Sequence, residues 1–426
     1  MKKVMLKTTL SLAVGLASTQ LFASGYALNE QSISGMGTGF AGRSSSADDA
    51  STVYGNPAGM SFLKREQATV GAAAIIARSD IEGSGTNAIG QPINGSTDGD
   101  MVPVVAVPMG YYVKPVDEHL TVGIDMYAPF GLVTDYERGF AGRYWGDKSK
   151  VEVITLQPTI AWRFNDVVSI GIGPTINKIK GELGSSTFGG AAGDGRVKIK
   201  GDDTAVGFNA GVMVQATDAT RIGLTYHSRV KYKLQGNTRI FGQGFGPFNG
   251  SKFDATLEIE TPESADLSIT HKLDNQWTIY AGSTYTRWSR LEQITVINEG
   301  VPARLGGAAG PIGTINEDQK WHNTWAHAIG ASYQVNNQWV LRAGLSMDQS
   351  PANNVDRSPR IPTGDRKAVS IGAGWSPTDD LTIDAALSYL QEEEVNINLA
   401  SASKGSFNAK YENSAFGLGL GMTYRF

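Results

Sequence analysis

The sequence predicts an all-β fold: a 14-stranded antiparallel transmembrane β-barrel with an N-terminal hatch, or plug, inside its lumen. Three observations carry that prediction. The chain ends FGLGLGMTYRF, with Phe416, Leu418, Leu420, Met422, Tyr424 and Phe426 on one face and Gly417, Gly419, Gly421, Thr423 and Arg425 on the other. That period of two marks a strand, and it persists where most chains fray. Connections between strands of this kind alternate short and long, and no stretch after the leader approaches the roughly 18 consecutive apolar residues of a spanning helix.

Taken in order, Lys2, Lys3 and Lys7 precede an apolar run over residues 8–17 and a small-residue site near Ala23 and Ser24. This reads as a secretory signal peptide, residues 1–23. The chain has no cysteine, so no disulfide framework or thiolate metal site is expected, and no metal or cofactor is assigned. A net charge of only -4 argues against nucleic acid as a partner.

Residues 24–62 do not alternate. The stretch SGMGTGFAGRSSSADDASTVYGNPAG, residues 34–59, is small, polar and rich in glycine. Its G-x-G-x-x-G match at residues 37–42 follows no strand and opens no βαβ unit, which argues against dinucleotide binding. The segment is expected to plug the barrel formed by residues 63–426, since a barrel this wide otherwise leaves a pore.

Alternation returns over 206–214 (Val206, Phe208, Ala210, Val212, Val214), 339–347 (Trp339, Leu341, Ala343, Leu345, Met347) and 381–389 (Leu381, Ile383, Ala385, Leu387, Tyr389). Each run matches the 9 to 11 residues of a tilted spanning strand. Short turns fall near 115–119, 165–166, 217–220, 274–276, 336–338 and 377–380. Long loops fall near 79–101, 132–149, 182–202, 235–252, 297–320, 349–365 and 398–409. The alternation is unbroken and implies fourteen strands, provided residues 257–269 form one strand bulged at Pro262. Trp277 and Trp339, each after an Asn-Gln turn, are expected in the periplasmic aromatic girdle.

Several motifs together carry a family resemblance. They are Gly25-Tyr-Ala-Leu-Asn-Glu, Ser34-Gly-Met-Gly, Ala47-Asp-Asp-Ala and Asn56-Pro57-Ala58, then Tyr127-Ala-Pro-Phe-Gly-Leu, Thr225-Tyr-His-Ser-Arg-Val-Lys and Tyr285-Thr-Arg-Trp-Ser in the barrel. The chain resembles the FadL-type transporters, which pass long-chain fatty acids across the bacterial outer membrane. The resemblance implies capture of a hydrophobic molecule among outer loops and a pocket inside the barrel. It further implies sideways release at a third-strand kink after the hatch moves. Pro129 and Gly131 are the expected kink, because proline removes a ladder donor and glycine leaves no side chain. A terminal Phe426 resembles the signal read by the barrel-assembly machinery, and the expected state is a monomer.

Apolar residues in or beside the loops, Phe130, Leu132, Phe140, Trp145 and Phe245 among them, suggest a capture surface for an apolar ligand. The same residues would also suit a lid, or contact with outer-membrane lipid and lipopolysaccharide. For a carboxylate head group, strand parity over 222–233 places Ile222, Leu224, Tyr226, Val230 and Tyr232 toward lipid and His227, Arg229, Lys231 and Lys233 inward. Arg342 faces inward by the same rule, and Lys180 is a further candidate. A cation on the lipid face costs roughly 2–4 kcal/mol at mid-membrane, which supports that facing. Uptake of aromatic hydrocarbons is the nearest alternative. A general porin fits the plug poorly, and an outer-membrane hydrolase lacks a G-x-S-x-G elbow.

Overall fold

The computed structural model describes residues 25–98 and 100–426, so the expected signal peptide lies outside the described residues. The strands are β1 (Gln67–Thr86), β2 (Val105–Pro115), β3 (Leu120–Asp135), β4 (Lys148–Arg163), β5 (Val168–Thr187) and β6 (Gly195–Thr217). They continue with β7 (Thr220–His227 and Val230–Phe241), β8 (Lys252–Thr261 and Ser264–Lys272), β9 (Trp277–Thr286 and Gln293–Asn298) and β10 (Thr314–Asp318 and Thr324–Gln334). The last four are β11 (Trp339–Asp348), β12 (Arg366–Trp375), β13 (Leu381–Glu392 and Val395–Ser401) and β14 (Gly405–Arg425). Among the described residues, five of these fourteen strands are each interrupted once. Every strand runs antiparallel to the next, and β14 closes the sheet on β1 from Gln67↔Arg425 to Thr86↔Ser406. The closing seam therefore uses the alternating tail up to Arg425, which is why the pattern does not decay.

The outward face carries the apolar set. Val206, Phe208, Val212, Ile329, Leu341, Leu345, Leu387, Leu418 and Leu420 are all exposed, as a hydrocarbon solvent requires. Trp277 and Trp339 also face out beside the short turns, with Trp339 stacked on Trp375 at 5.9 Å. β8 breaks at Pro262 and Glu263, as the proline bulge predicts.

The long connections are shorter than expected. Residues 182–187, 195–202, 235–241 and 398–401 continue their strands, leaving only 188–194, 242–251 and 402–404 as connections there. These stretches are polar, and polarity was read as loop. Each nevertheless finds a neighbouring edge to satisfy its backbone, so the sheet extends beyond the apolar belt.

Inside, residues 25–63 pack against the barrel wall through two short helices, α1 (Ile33–Gly37) and α2 (Thr52–Gly55), and a 3-10 turn (Pro57–Phe62). Ser32 caps α1 by accepting from the Gly35 amide at 3.1 Å. Asn56 is fully buried; its side chain accepts from the Ala58 amide (3.0 Å) and donates to Ser44 O (2.7 Å) and Val212 O (3.0 Å). The inner face of the wall is bare where this segment lies. A Cβ on Gly223 would come within 1.7 Å of Ser44 O, and one on Gly211 within 2.0 Å of Asn56 Oδ1. The glycine-rich faces thus let backbone lie directly on backbone.

Gly223→Val should push the segment off the wall at a cost of roughly 1–3 kcal/mol. Trypsin is expected to cut at Arg43 in the variant but not in the parent, while heat-modifiable gel migration shows both barrels closed.

Candidate functional site

The wall has a local fault on β3. Against β4 its register jumps between Tyr127↔Thr155 and Phe130↔Val153, so Ala128 and Pro129 together oppose Ile154. Against β2 the ladder runs only from Pro115↔Thr121 to Gly110↔Met126, although β2 continues along β1 to Ile75↔Val105. The upper half of β2 and the segment of β3 around Pro129 and Gly131 therefore share no ladder. A small apolar cavity lies in this gap, lined by Leu28, Ala106, Pro108, Ala128, Phe130 and Gly131 among others.

The N-terminal segment supplies the missing strand. Leu28 N donates to Pro129 O and Gly131 N donates to Tyr26 O, both at 2.9 Å, with Ala27 opposite Phe130. Gln31 Nε2 adds a bond to Ala128 O at 2.5 Å. On its other side Tyr26 enters an aromatic cluster, 4.9 Å from Trp288, 5.7 Å from Phe130 and 6.0 Å from Trp321. Trp288 and Trp321 occupy the interruptions of β9 and β10. Gly25 has φ +69, and a Cβ there would meet the Trp321 ring at 2.6 Å.

Two lumen cavities flank this junction. The outer one is lined by inward residues of β4 to β9 such as Val151, Ile179, Leu234, Leu257, Ile259 and Val296. The inner one carries polar groups, with Asn29, Arg43, Tyr54, Asn177, Asn209 and His227 on its walls. Val230 and Tyr232, packed with Phe130, Val153 and Ile179, form an apolar septum between them. Phe130 lines both the polar chamber and the wall gap.

The head-group candidates separate. His227 faces the chamber, its ring 4.9 Å from Tyr54, and its Nε2 has no hydrogen-bond partner among the described residues. Arg229 and Lys231 do not face inward. The break at Ser228 shifts the parity of β7, so Val230 and Tyr232 are buried and Arg229 and Lys231 lie outside, paired with Glu260 at 3.5 and 2.9 Å. Lys180 is likewise outward, because its neighbour Ile179 is buried in the septum. Arg342 is inward but engaged by Asp384 at 2.7 Å beneath Gly37. Sequence reasoning missed Arg43, which reaches the chamber and donates to Asn29 Oδ1 at 2.7 Å. It is the only Lys or Arg in residues 24–62, a signal that was available.

The capture residues are largely packed away rather than presented. Leu132 and Phe140 are buried, and Phe140 stacks on Tyr136 at 3.9 Å and meets Phe407 at 5.3 Å. Phe130 lies within β3 rather than in a loop. Trp145 carries Lys404 over its ring, and Phe245 packs beside Val197, Ile240 and Phe253. The loop over 349–365 crosses the mouth: Arg360, buried, donates to Glu317 (2.7 Å), Lys148 O (2.9 Å) and Gly184 O (3.1 Å). Within the N-terminal segment, burial pushes the carboxyls of Glu30 and Asp48 above the ordinary range. Arg366 and Arg43 oppose the rise at Glu30, and Arg342 and Arg221 oppose it at Asp48.

A closed barrel with an apolar lumen cavity, an internal segment and a faulted wall defines a transport protein of the outer membrane. Residues 14–426 match the family described as outer membrane protein transport protein (OMPP1/FadL/TodX), and the chain belongs to it. It is 28% identical to the long-chain fatty acid transport protein of Escherichia coli K12 over 463 residues, covering 100% of this chain and 99% of that one. The crystal structure of a Pseudomonas aeruginosa FadL homologue superposes with a TM-score of 0.85 at 24% identity, covering 94% of this chain and all of that one. The Pseudomonas putida toluene transporter TodX gives 0.68 at 17% identity, covering 94% and 99%.

Arg342 and Asp384 are both nearly buried, and removing one partner of such a pair costs about 3–5 kcal/mol. Arg342→Met should lower the urea midpoint of the detergent-solubilised barrel markedly, and adding Asp384→Asn should restore most of the loss. A wild-type midpoint for the single variant would show the pair to be irrelevant to stability.

Proposed function

We propose that this chain carries long-chain fatty acids across the outer membrane by passive flow, as a transporter and not an enzyme. The observation that carries the reading is the wall gap between β2 and β3, bridged by the chain's own N-terminal segment and adjoining an apolar lumen cavity. The tail occupies the outer cavity. The carboxylate turns toward the polar chamber, where Arg43 supplies the positive charge and His227 a neighbouring polar edge. Withdrawal of Tyr26 to Leu28 from β3 opens the gap at Pro129 and Gly131, and cargo leaves sideways into hydrocarbon without crossing water.

Magnitudes set the need for such movement. At about 0.8 kcal/mol per buried methylene, a sixteen-carbon tail offers on the order of 12 kcal/mol. A fully enclosing pocket would hold it indefinitely, so release requires a step that weakens the last site. Only the first part of the hatch needs to move. Asn56, Pro57 and Ala58 anchor the remainder through Val212 O and the bare faces at Gly171 and Gly211. Entry requires the 349–365 loop to lift from the mouth, exposing Leu132, Phe140, Trp145 and Phe245 to incoming cargo. Phe426, exposed beside Tyr424, is the residue offered to the assembly machinery, and the working unit is the monomer.

Two experiments test this reading. Ala27 and Phe130 form a close, non-hydrogen-bonded pair, and the parent has no cysteine, so Ala27→Cys with Phe130→Cys should form a disulfide. Uptake of radiolabelled oleate by cells should stop under oxidation and return on reduction; uptake indifferent to the crosslink would remove the gate. Arg43→Gln should weaken oleate binding by about tenfold, the worth of one charge-assisted hydrogen bond. It should leave methyl oleate binding unchanged. Displacement of oleate from the parent by toluene would favour a hydrocarbon carrier instead.

A further inference from the structure

The outward face of β5 to β8 changes character above the apolar belt. On β6 the belt ends at Val206, 74% exposed, and the same face then continues through Asp202, Lys200 and Lys198. Its facing is fixed from behind: Val197, Ile240 and Phe253 are buried together with Ile312 on the inner side. Lys198, Arg239 and Lys252, their chain neighbours, therefore point away from the lumen.

Register makes these three unusual. Lys198 lies opposite Arg239, and Arg239 lies opposite Lys252, so three cations stand side by side across three adjacent strands. Like charges directly opposite one another destabilise a sheet, and among the described residues only Lys198 of the three has an acidic partner. Glu182 is shared between Lys198 (2.8 Å) and Lys200 (2.9 Å). Arg239 and Lys252 make no ion pair or side-chain hydrogen bond among the described residues, and Asp254 pairs with neither. Lys180, four residues nearer the belt in cross-strand terms, is also unpaired there. Eight residues separate Lys198 from Val206. At about 3.3 Å per residue and a tilt near 40°, the row stands roughly 20 Å above the end of the belt.

We propose that this face binds the phosphorylated sugar head group of lipopolysaccharide. Lys180 contacts phosphate near the bilayer surface, and the Lys198–Arg239–Lys252 row grips phosphate and carboxylate groups on the outer sugars. The argument is charge complementarity: a cation row at head-group height, in which Arg239 and Lys252 have no acidic partner among the described residues and Lys198 shares Glu182 with Lys200, needs anions from outside, and phosphate accepts charge-assisted hydrogen bonds from several strands at once. The proposal rests on the outer-membrane location and is independent of the cargo.

The test uses the full barrel in neutral detergent with purified lipopolysaccharide, its dephosphorylated form, and phosphatidylglycerol micelles, with binding read by native mass spectrometry. Lys198→Gln, Arg239→Gln and Lys252→Gln combined should weaken lipopolysaccharide binding by about tenfold or more, with heat-modifiable migration and oleate binding unchanged. Parent binding should fall on dephosphorylation and on raising salt from about 50 to about 300 mM. Equal binding by parent and triple variant, or by phosphorylated and dephosphorylated lipid, would overturn the proposal. Equal binding of phosphatidylglycerol would overturn the assignment to this glycolipid. Should the triple variant fail to migrate as a closed barrel, Lys252→Gln alone is expected to show a smaller loss of the same sign.

Discussion

Hydrocarbon offers no hydrogen-bond partners, so every backbone amide and carbonyl of a spanning strand must find one within the protein. The rest of the architecture depends on that constraint. It forces β14 to close on β1 along the full length of both strands, and it makes any unpaired stretch of wall costly. The chain leaves such a stretch between the upper half of β2 and the segment of β3 around Pro129, and there two hydrogen bonds from Tyr26 and Leu28 take up β3 backbone groups. A gap closed by a borrowed strand differs from a sealed wall. Its closure rests on a few local hydrogen bonds and the aromatic packing of Tyr26.

The two faces of the strands serve different solvents, and glycine is what reconciles them. Outward positions carry the large apolar residues that lipid requires. Inward positions near the plug are stripped to glycine, as at Gly211 and Gly223, so that main chain can lie against the wall. Higher in the barrel, the inner face turns apolar instead and the outer face turns polar and cationic. Breaks in β7 and β8 effect part of this exchange. A strand that loses phase at Ser228, or at Pro262, swaps which residues meet the lumen.

That exchange explains what could be read from the sequence and what could not. Strand number followed from the alternation of turns, because a two-sided membrane forces it, and the register shift of β3 falls at Ala128 and Pro129, with Gly131 paired to Glu152 beyond it. Loop length was overestimated wherever strands rise beyond the bilayer, since Lys198, Lys200 and Asp202 look like loop residues until a neighbour pairs with them. Arg229 and Lys231 were assigned to the lumen by carrying parity through Ser228, where one irregular step reverses every later side chain. Arg43 carries no strand parity to mark it, because it lies in the non-alternating segment, and only the folded chain brings it to the chamber wall. The packing of Phe140 against Phe407 of β14 depends on a contact distant in sequence that no local pattern encodes.

The plug also fixes an order of events. Ser44 bonds to Asp266 and Ser268, and Ser45 to Thr270, partners more than 220 residues further along the chain. Synthesis therefore produces this segment ahead of the wall, and these bonds cannot form until β8 exists. Loop-closure entropy opposes such distant contacts until the intervening strands have shortened the path. A segment made before the wall is thus among the last parts of the molecule to become ordered against it.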